Sequence, residues 1–188
     1  MAPTLSPNED TKHAAGSWRV APIVRRRVLH SGTAAVLALV CGAACADGVS
    51  GSIAYAAKSG PIVVTPKYAY LVAGPDEVSG KPMRRVVLAA ADVAPKIRAC
   101  EAMSCSDGGL REGMTIDFDA GPRLNYWLVG NDQRVQYSGT AEPTSLRLVA
   151  NTPQRLAGKW DLDARAAGGP QIQIEFDAAL LKTMKQAR

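Results

Sequence analysis

Histidine is nearly missing from this chain: His13 and His30 are the two present in 188 residues, and both precede Asp47. A protein working without that N-terminal stretch has no imidazole for Ser-His-Asp or Cys-His catalysis, and lacks the ligand that most catalytic zinc sites use. Cysteine is also scarce, with four residues, Cys41, Cys45, Cys100 and Cys105, none of them in a Cys-x-x-Cys pair. The glycines form neither a phosphate-cradling loop nor a dinucleotide fingerprint, and nothing in the pattern calls for a cofactor or a metal. No apolar run reaches the roughly 20 residues needed to cross a bilayer, so no integral membrane span is expected.

The first quarter of the chain reads as an address. Arg25, Arg26 and Arg27 precede an apolar run, Gly32 to Ala44, that ends at Ala44-Cys45-Ala46. This is the basic, apolar and small-x-small layout of a secretory signal peptide, predicted to cover residues 1–46. The polar stretch before the arginines is longer than such a leader needs, which points to an over-extended N-terminus with the start near Val20, Val24 or Val28. A lipoprotein anchored through Cys41 or Cys45 is the alternative. Neither cysteine follows the usual large aliphatic residue at minus three with small residues after it. Periplasmic or secreted localisation is the expectation.

The leader holds five of the 22 cations and two of the 17 anions, so residues 47–188 carry a net charge of about +2. The basic character belongs mainly to the address. No basic stripe remains for a nucleic acid.

From Asp47 onward, short apolar-rich runs alternate with Gly, Pro, Asn and Asp clusters, the signature of many antiparallel strands. The runs are Ile53 to Ala57, "KYAYLVA" (67–73), "MRRVVLAA" (83–90), Met114 to Phe118, "RLNYWLV" (123–129), "RVQYSG" (134–139), Leu146 to Leu148, Leu156 to Leu162, and Ile172 to Phe176. Asp92 caps one short helix, on which Val93, Ile97 and Cys100 share an apolar face. The closing "AALLKTMK" is expected as a helical turn packed on the sheet. These elements predict a mainly β protein: a single β-rich domain over 47–188, an antiparallel β-sandwich or partly open barrel of about nine strands with one short helix.

Cleavage of the leader leaves Cys100 and Cys105, and an isolated pair in an oxidising compartment is by default a disulfide. In an unbroken helix their Cα atoms would lie about 8.6 Å apart, beyond the roughly 7 Å a disulfide spans. The helix must therefore end between them. Redox exchange and metal binding, the latter completed by Glu101 or Asp107, are the other readings of the pair.

Asp117 and Asp119 stand at i and i+2, which on a regular strand puts both carboxylates on one face about 6.6 Å apart. That is within the range for an inverting glycoside hydrolase. Asn125 and Trp127 on the next strand supply an amide and a sugar-stacking ring. The bland reading of the aspartates is the wet face of a half-exposed strand, and Asp161 and Asp163 repeat the pattern. Tyr68 and Tyr70, like Leu124 and Tyr126, share a face that could line an apolar or aromatic pocket or fill a core.

The segments "KYAYLVAG", "RLAGKWD" and "QIQIEFDAALL", in this order after a leader, resemble an uncharacterised group of secreted or periplasmic proteobacterial β-domain proteins. The resemblance implies a shared β fold and carries no catalytic residue across. Three functions follow as expectations. The first is a non-enzymatic exported β-domain that binds a partner or stabilises an envelope assembly. The second is a β-sandwich binding a small ligand or saccharide. The third is a carboxylate-dependent glycoside hydrolase.

Overall fold

The computed structural model describes residues 48–188. The expected leader, both histidines, Cys41 and Cys45 lie outside the described residues. The described chain is mainly β: ten strands in one sheet that does not close, with one short α-helix. In chain order they are β1 (Gly48–Ala57), β2 (Gly60–Val64), β3 (Tyr68–Pro75), β4 (Pro82–Ala89), α1 (Ala94–Ala99), β5 (Gly113–Phe118), β6 (Leu124–Gly130), β7 (Val135–Ala141), β8 (Leu146–Thr152), β9 (Arg155–Asp163) and β10 (Gln171–Thr183). The spatial order is β7-β6-β5-β4-β3-β1-β10-β9-β8, with β2 on β1. No described helix is long and apolar enough to cross a membrane.

Period-two alternation gives the sheet two apolar faces. On one face, Leu71, Val86, Leu88, Ile116, Tyr126, Leu156, Trp160, Ile172 and Phe176 form the main core. β6 and β9 are six places apart in the sheet, yet the Tyr126 and Trp160 rings meet edge to face with centroids 5.4 Å apart. Such a contact requires the sheet to fold over so that its two halves face each other around one interior. Trp160 is fully buried, and its Nε1 donates to Ser145 Oγ at 3.0 Å. Replacing a core ring of this kind by Ala costs about 3–5 kcal/mol. Gly139 makes the approach possible, because a Cβ there would sit 2.5 Å from Tyr126 Oη.

The other face is covered in part by α1 and the loop after it. Tyr70, Val72, Val87, Ile97, Met103, Val129 and Met184 form a second cluster there. α1 begins at Ala94 with Val93, not the expected Asp92, at its N-cap and no side-chain cap; Asp92, one residue earlier, accepts from the Ala94 N–H through Oδ1 at 2.8 Å. The helix ends at Cys100, whose backbone is extended. That turn brings Cys100 and Cys105 to a Cα separation of 5.8 Å with their sulfurs within bonding distance. A crosslink over so short a loop stabilises by about 2 kcal/mol in the chain-entropy model. The loop then pairs with the C-terminal tail, as the N–H groups of Met103 and Ser104 donate to the carbonyls of Gln186 and Ala187, both at 3.0 Å.

Two elements differ from the sequence expectation. "AALLKTMK" is not a helical turn, since β10 runs unbroken into it as far as Thr183. The reason lies in β3. Its pairing with β1 stops at Gly48 opposite Tyr68, which leaves the far half of β3 needing a neighbour; β10 supplies it in parallel, Leu180 beside Leu71 and Thr183 beside Ala73. The second difference is β2, hidden because Gly60-Pro61 reads as punctuation. Gly60 takes a left-handed φ of +117° that closes a tight hairpin, and Pro61 is tolerated because β2 is an edge strand.

Candidate functional site

Arg84 and Arg85 are consecutive on β4, so their side chains leave opposite faces. Each takes one of the two aspartates. Arg85 Nε and Nη2 donate to Asp117 Oδ1 and Oδ2 at 2.6 and 3.0 Å. Arg84 Nε and Nη2 donate to Asp119 Oδ2 and Oδ1 at 2.6 and 3.1 Å. The expected carboxylate pair of Asp117 and Asp119 on one face is therefore not assembled. β5 ends at Phe118, and Asp119 adopts a left-handed φ of 69°, which breaks the alternation and turns its carboxylate to the Arg84 side. Asp163 is likewise engaged, chelating the Arg165 guanidinium on the surface, which holds its carboxyl down at about 2.

Asp117, Asn125 and Trp127 do come together. Strand register sets Asp117 beside Asn125 and Asn125 beside Thr140, then Thr115 beside Trp127 and Trp127 beside Ser138. These six side chains form two rows across the outer face of β5, β6 and β7. They line an open hollow of about 460 Å³, with Arg85 and Asp107 at one side. The Trp127 indole is half-buried, packed by one part against the second apolar cluster and facing the hollow by another.

The wall at Arg85 is built by the cysteine loop. Arg85 Nη1 donates to Ser106 Oγ at 3.1 Å, to the Met103 carbonyl at 3.3 Å and to Asp107 Oδ2 at 3.4 Å. Burial is the largest influence and works against the guanidinium charge, but the Asp117 hydrogen bond and the attraction of Asp117, Asp107 and Glu77 together outweigh it, so the pKa is raised. Asp107 is shifted upward too, because burial outweighs its distant contact with Arg85. Two carboxylates thus face one guanidinium, and the hollow's floor is slightly acidic.

Tyr68 and Tyr70 are elsewhere. Their rings stack with centroids 6.3 Å apart, and Tyr70 Oη donates to Asp92 Oδ1 at 2.6 Å beside α1. Tyr70 lies on the Trp127 row but three strands away, roughly 14 Å. It fills the second cluster and shares no cavity with Asn125 or Trp127. Tyr126 points into the main core against Tyr137, and burial pushes its hydroxyl up to about 12. Among the described residues no group of three or more His, Cys, Asp or Glu is placed to hold a metal.

Arg85, Thr115, Ser138 and Thr140 were not singled out as site residues by sequence, and Asp107 was named only as a carboxylate that could complete a metal site with the cysteine pair. A signal for three of them existed: Thr115 with Asp117, Asn125 with Trp127, and Ser138 with Thr140 are i, i+2 polar positions on three consecutive hairpin-linked strands. No known protein family, curated protein or solved structure matches this chain.

Proposed function

We propose that this is an exported, non-catalytic β-domain that binds a neutral polyhydroxylated ligand, an uncharged saccharide, in the hollow over β5, β6 and β7. The observation that carries the reading is Trp127, a half-buried indole at the centre of a face otherwise made of Asn125, Thr115, Ser138, Thr140 and Asp117. A sugar presents an apolar C–H face to an aromatic ring and hydroxyl groups to the amide, hydroxyl and carboxylate groups around it. The volume suits a ligand of two or three rings.

Charge narrows the class. Among the described residues the one cation lining the hollow is Arg85, already engaged by Asp117, Ser106 and Asp107, so an anionic ligand meets surplus carboxylate. Asp107 is compatible with the same reading: burial raises its carboxyl beside the hollow, and perturbed carboxylates occur at functional sites as well as in structural ion-pair networks. Export rests on the leader layout, with the Cys100–Cys105 geometry as an indirect hint.

Tryptophan fluorescence tests the proposal, because Trp160 is sealed in the core and Trp127 faces the hollow. Titration of residues 47–188 with maltotriose, cellotriose and triacetylchitotriose is expected to shift the emission for at least one of them, with Kd below about 1 mM, a free energy of about −4 kcal/mol. Trp127→Ala should abolish the response, and a trigalacturonate should give none. No response to any neutral oligosaccharide, or an equal response in Trp127→Ala, overturns the reading.

A further inference from the structure

Among the described residues three strands, β2, β7 and β8, pair with one neighbour each, so their other edge has no strand partner. Proteins usually defend such edges with short length, proline, charge or a bulge, because unpaired N–H and C=O groups recruit other strands. β2 has five residues and Pro61. β8 has a bulge between Leu148 and Ala150 and carries Arg147. β7, "VQYSGTA", has seven residues and no proline, no charge and no register break. It is the undefended edge.

The strand is also complementary to itself. Antiparallel pairing of two copies about a twofold axis at Ser138 sets residue i against residue 276 − i. On the inner face Tyr137 then stands opposite Gly139 and Val135 opposite Ala141, large against small in both pairs. On the outer face Gln136 stands opposite Thr140 and Ser138 opposite Ser138, all exposed and uncharged. No like charges meet, and no two bulky side chains compete for one site. The same operation on β8, about Val149, sets Arg147 opposite Asn151 and leaves the bulge between Leu148 and Ala150 unmatched.

We propose that β7 is a dimerisation edge, pairing antiparallel with β7 of a second copy to give one sheet continuous across the twofold axis. The pairing joins the outer faces β5-β6-β7 of both copies into a six-stranded platform. The two hollows, each bordered by Ser138 and Thr140 of its own β7, then lie side by side on it.

Sedimentation equilibrium of residues 47–188 between 1 and 100 µM, without any saccharide, tests the interface independently of ligand binding. The expected result is a concentration-dependent dimer. Ser138→Lys, which puts two ammonium groups opposite each other at an exposed position, should raise the dimer dissociation constant at least tenfold while the circular dichroism spectrum stays unchanged. Arg147→Ala on the β8 edge should leave it where it was. A monomer throughout the range, or a Ser138→Lys protein that dimerises as well as the parent, overturns the proposal. A monomeric protein that still shows the Trp127 response would separate failure of this interface from failure of the binding site.

Discussion

Arg84 and Asn151 lie 67 positions apart in sequence and 2.9 Å apart in space, Arg84 Nη1 donating to Asn151 Oδ1. The same nitrogen donates to the Thr152 carbonyl at 3.1 Å, and the rest of the guanidinium holds Asp119. β4 and the end of β8 belong to opposite halves of the folded sheet. One guanidinium therefore ties the halves together at one end of the interior. It reinforces the parallel pairing of β10 with β3, which joins the halves through the backbone, whereas among the described residues β7 and β8 do not join.

Arg84→Met keeps the aliphatic stem and removes the tie. Asp119 is half-exposed and regains water on losing its partner, so the cost should be modest, about 1–2 kcal/mol. Hydrogen exchange should locate the loss, with amide protection falling around Thr152 to Arg155 while β5 and β6 keep theirs. Uniform loss across the sheet would show instead that the tie is integral to global stability.

Arg85 differs in kind, because its side chain is 11% exposed and its partners Asp117 and Asp107 are 19% and 20% exposed. Removing it strands two carboxylates in a desolvated wall. Arg85→Met should cost about 3–5 kcal/mol, and adding Asp117→Asn and Asp107→Asn should restore most of it. Asp107 also has a pH signature. Its folded-state pKa is raised by burial, so ionisation opposes folding, a cost absent in acid that grows as pH rises through that raised value. Asp107→Asn alone should melt higher than the parent at pH 7, with the gap closing toward pH 3. Melting curves of the parent and the three variants check both statements.

Much of this architecture was legible in the sequence because each strand carries its own alternation. Met114, Ile116 and Phe118 mark a dry face, and all three are core residues. The helix end that Cys100 and Cys105 demand is there at Cys100. What stayed hidden depends on a neighbour. "AALLKTMK" continues as strand because β3 needs a partner, which no local pattern in 178–185 announces. Asp119 leaves the face of Asp117 through one left-handed backbone angle at a non-glycine residue, and sterics alone disfavours that conformation. The hollow is a product of register: Asp117, Asn125 and Thr140 become a row only once three strands are aligned.

The hydrogen bond from Tyr70 to Asp92 should make the protein sensitive at both ends of the pH scale. Burial, and then the Asp92 bond, hold the Tyr70 hydroxyl well above its ordinary value of 10.0, while that bond and the Ala94 N–H hold the Asp92 carboxyl below 3.8. For Asp92, depressed in the folded state, the stabilisation is present above pH 3.8 and is lost as pH falls through the lowered value. For Tyr70, raised in the folded state, it is present below pH 10 and is lost as pH climbs through the raised value. The contact thus contributes fully from about pH 4 to pH 10. Tyr70→Phe should melt lower than the parent across that plateau, and the two proteins should converge at either extreme. The Ala94 amide, which donates to Asp92 Oδ1, should exchange faster in the acid limb, because protonation weakens its acceptor. A parent-to-variant difference that is constant from pH 2 to 11 would mean that Tyr70 acts through packing alone and that its hydrogen bond to Asp92 is energetically silent.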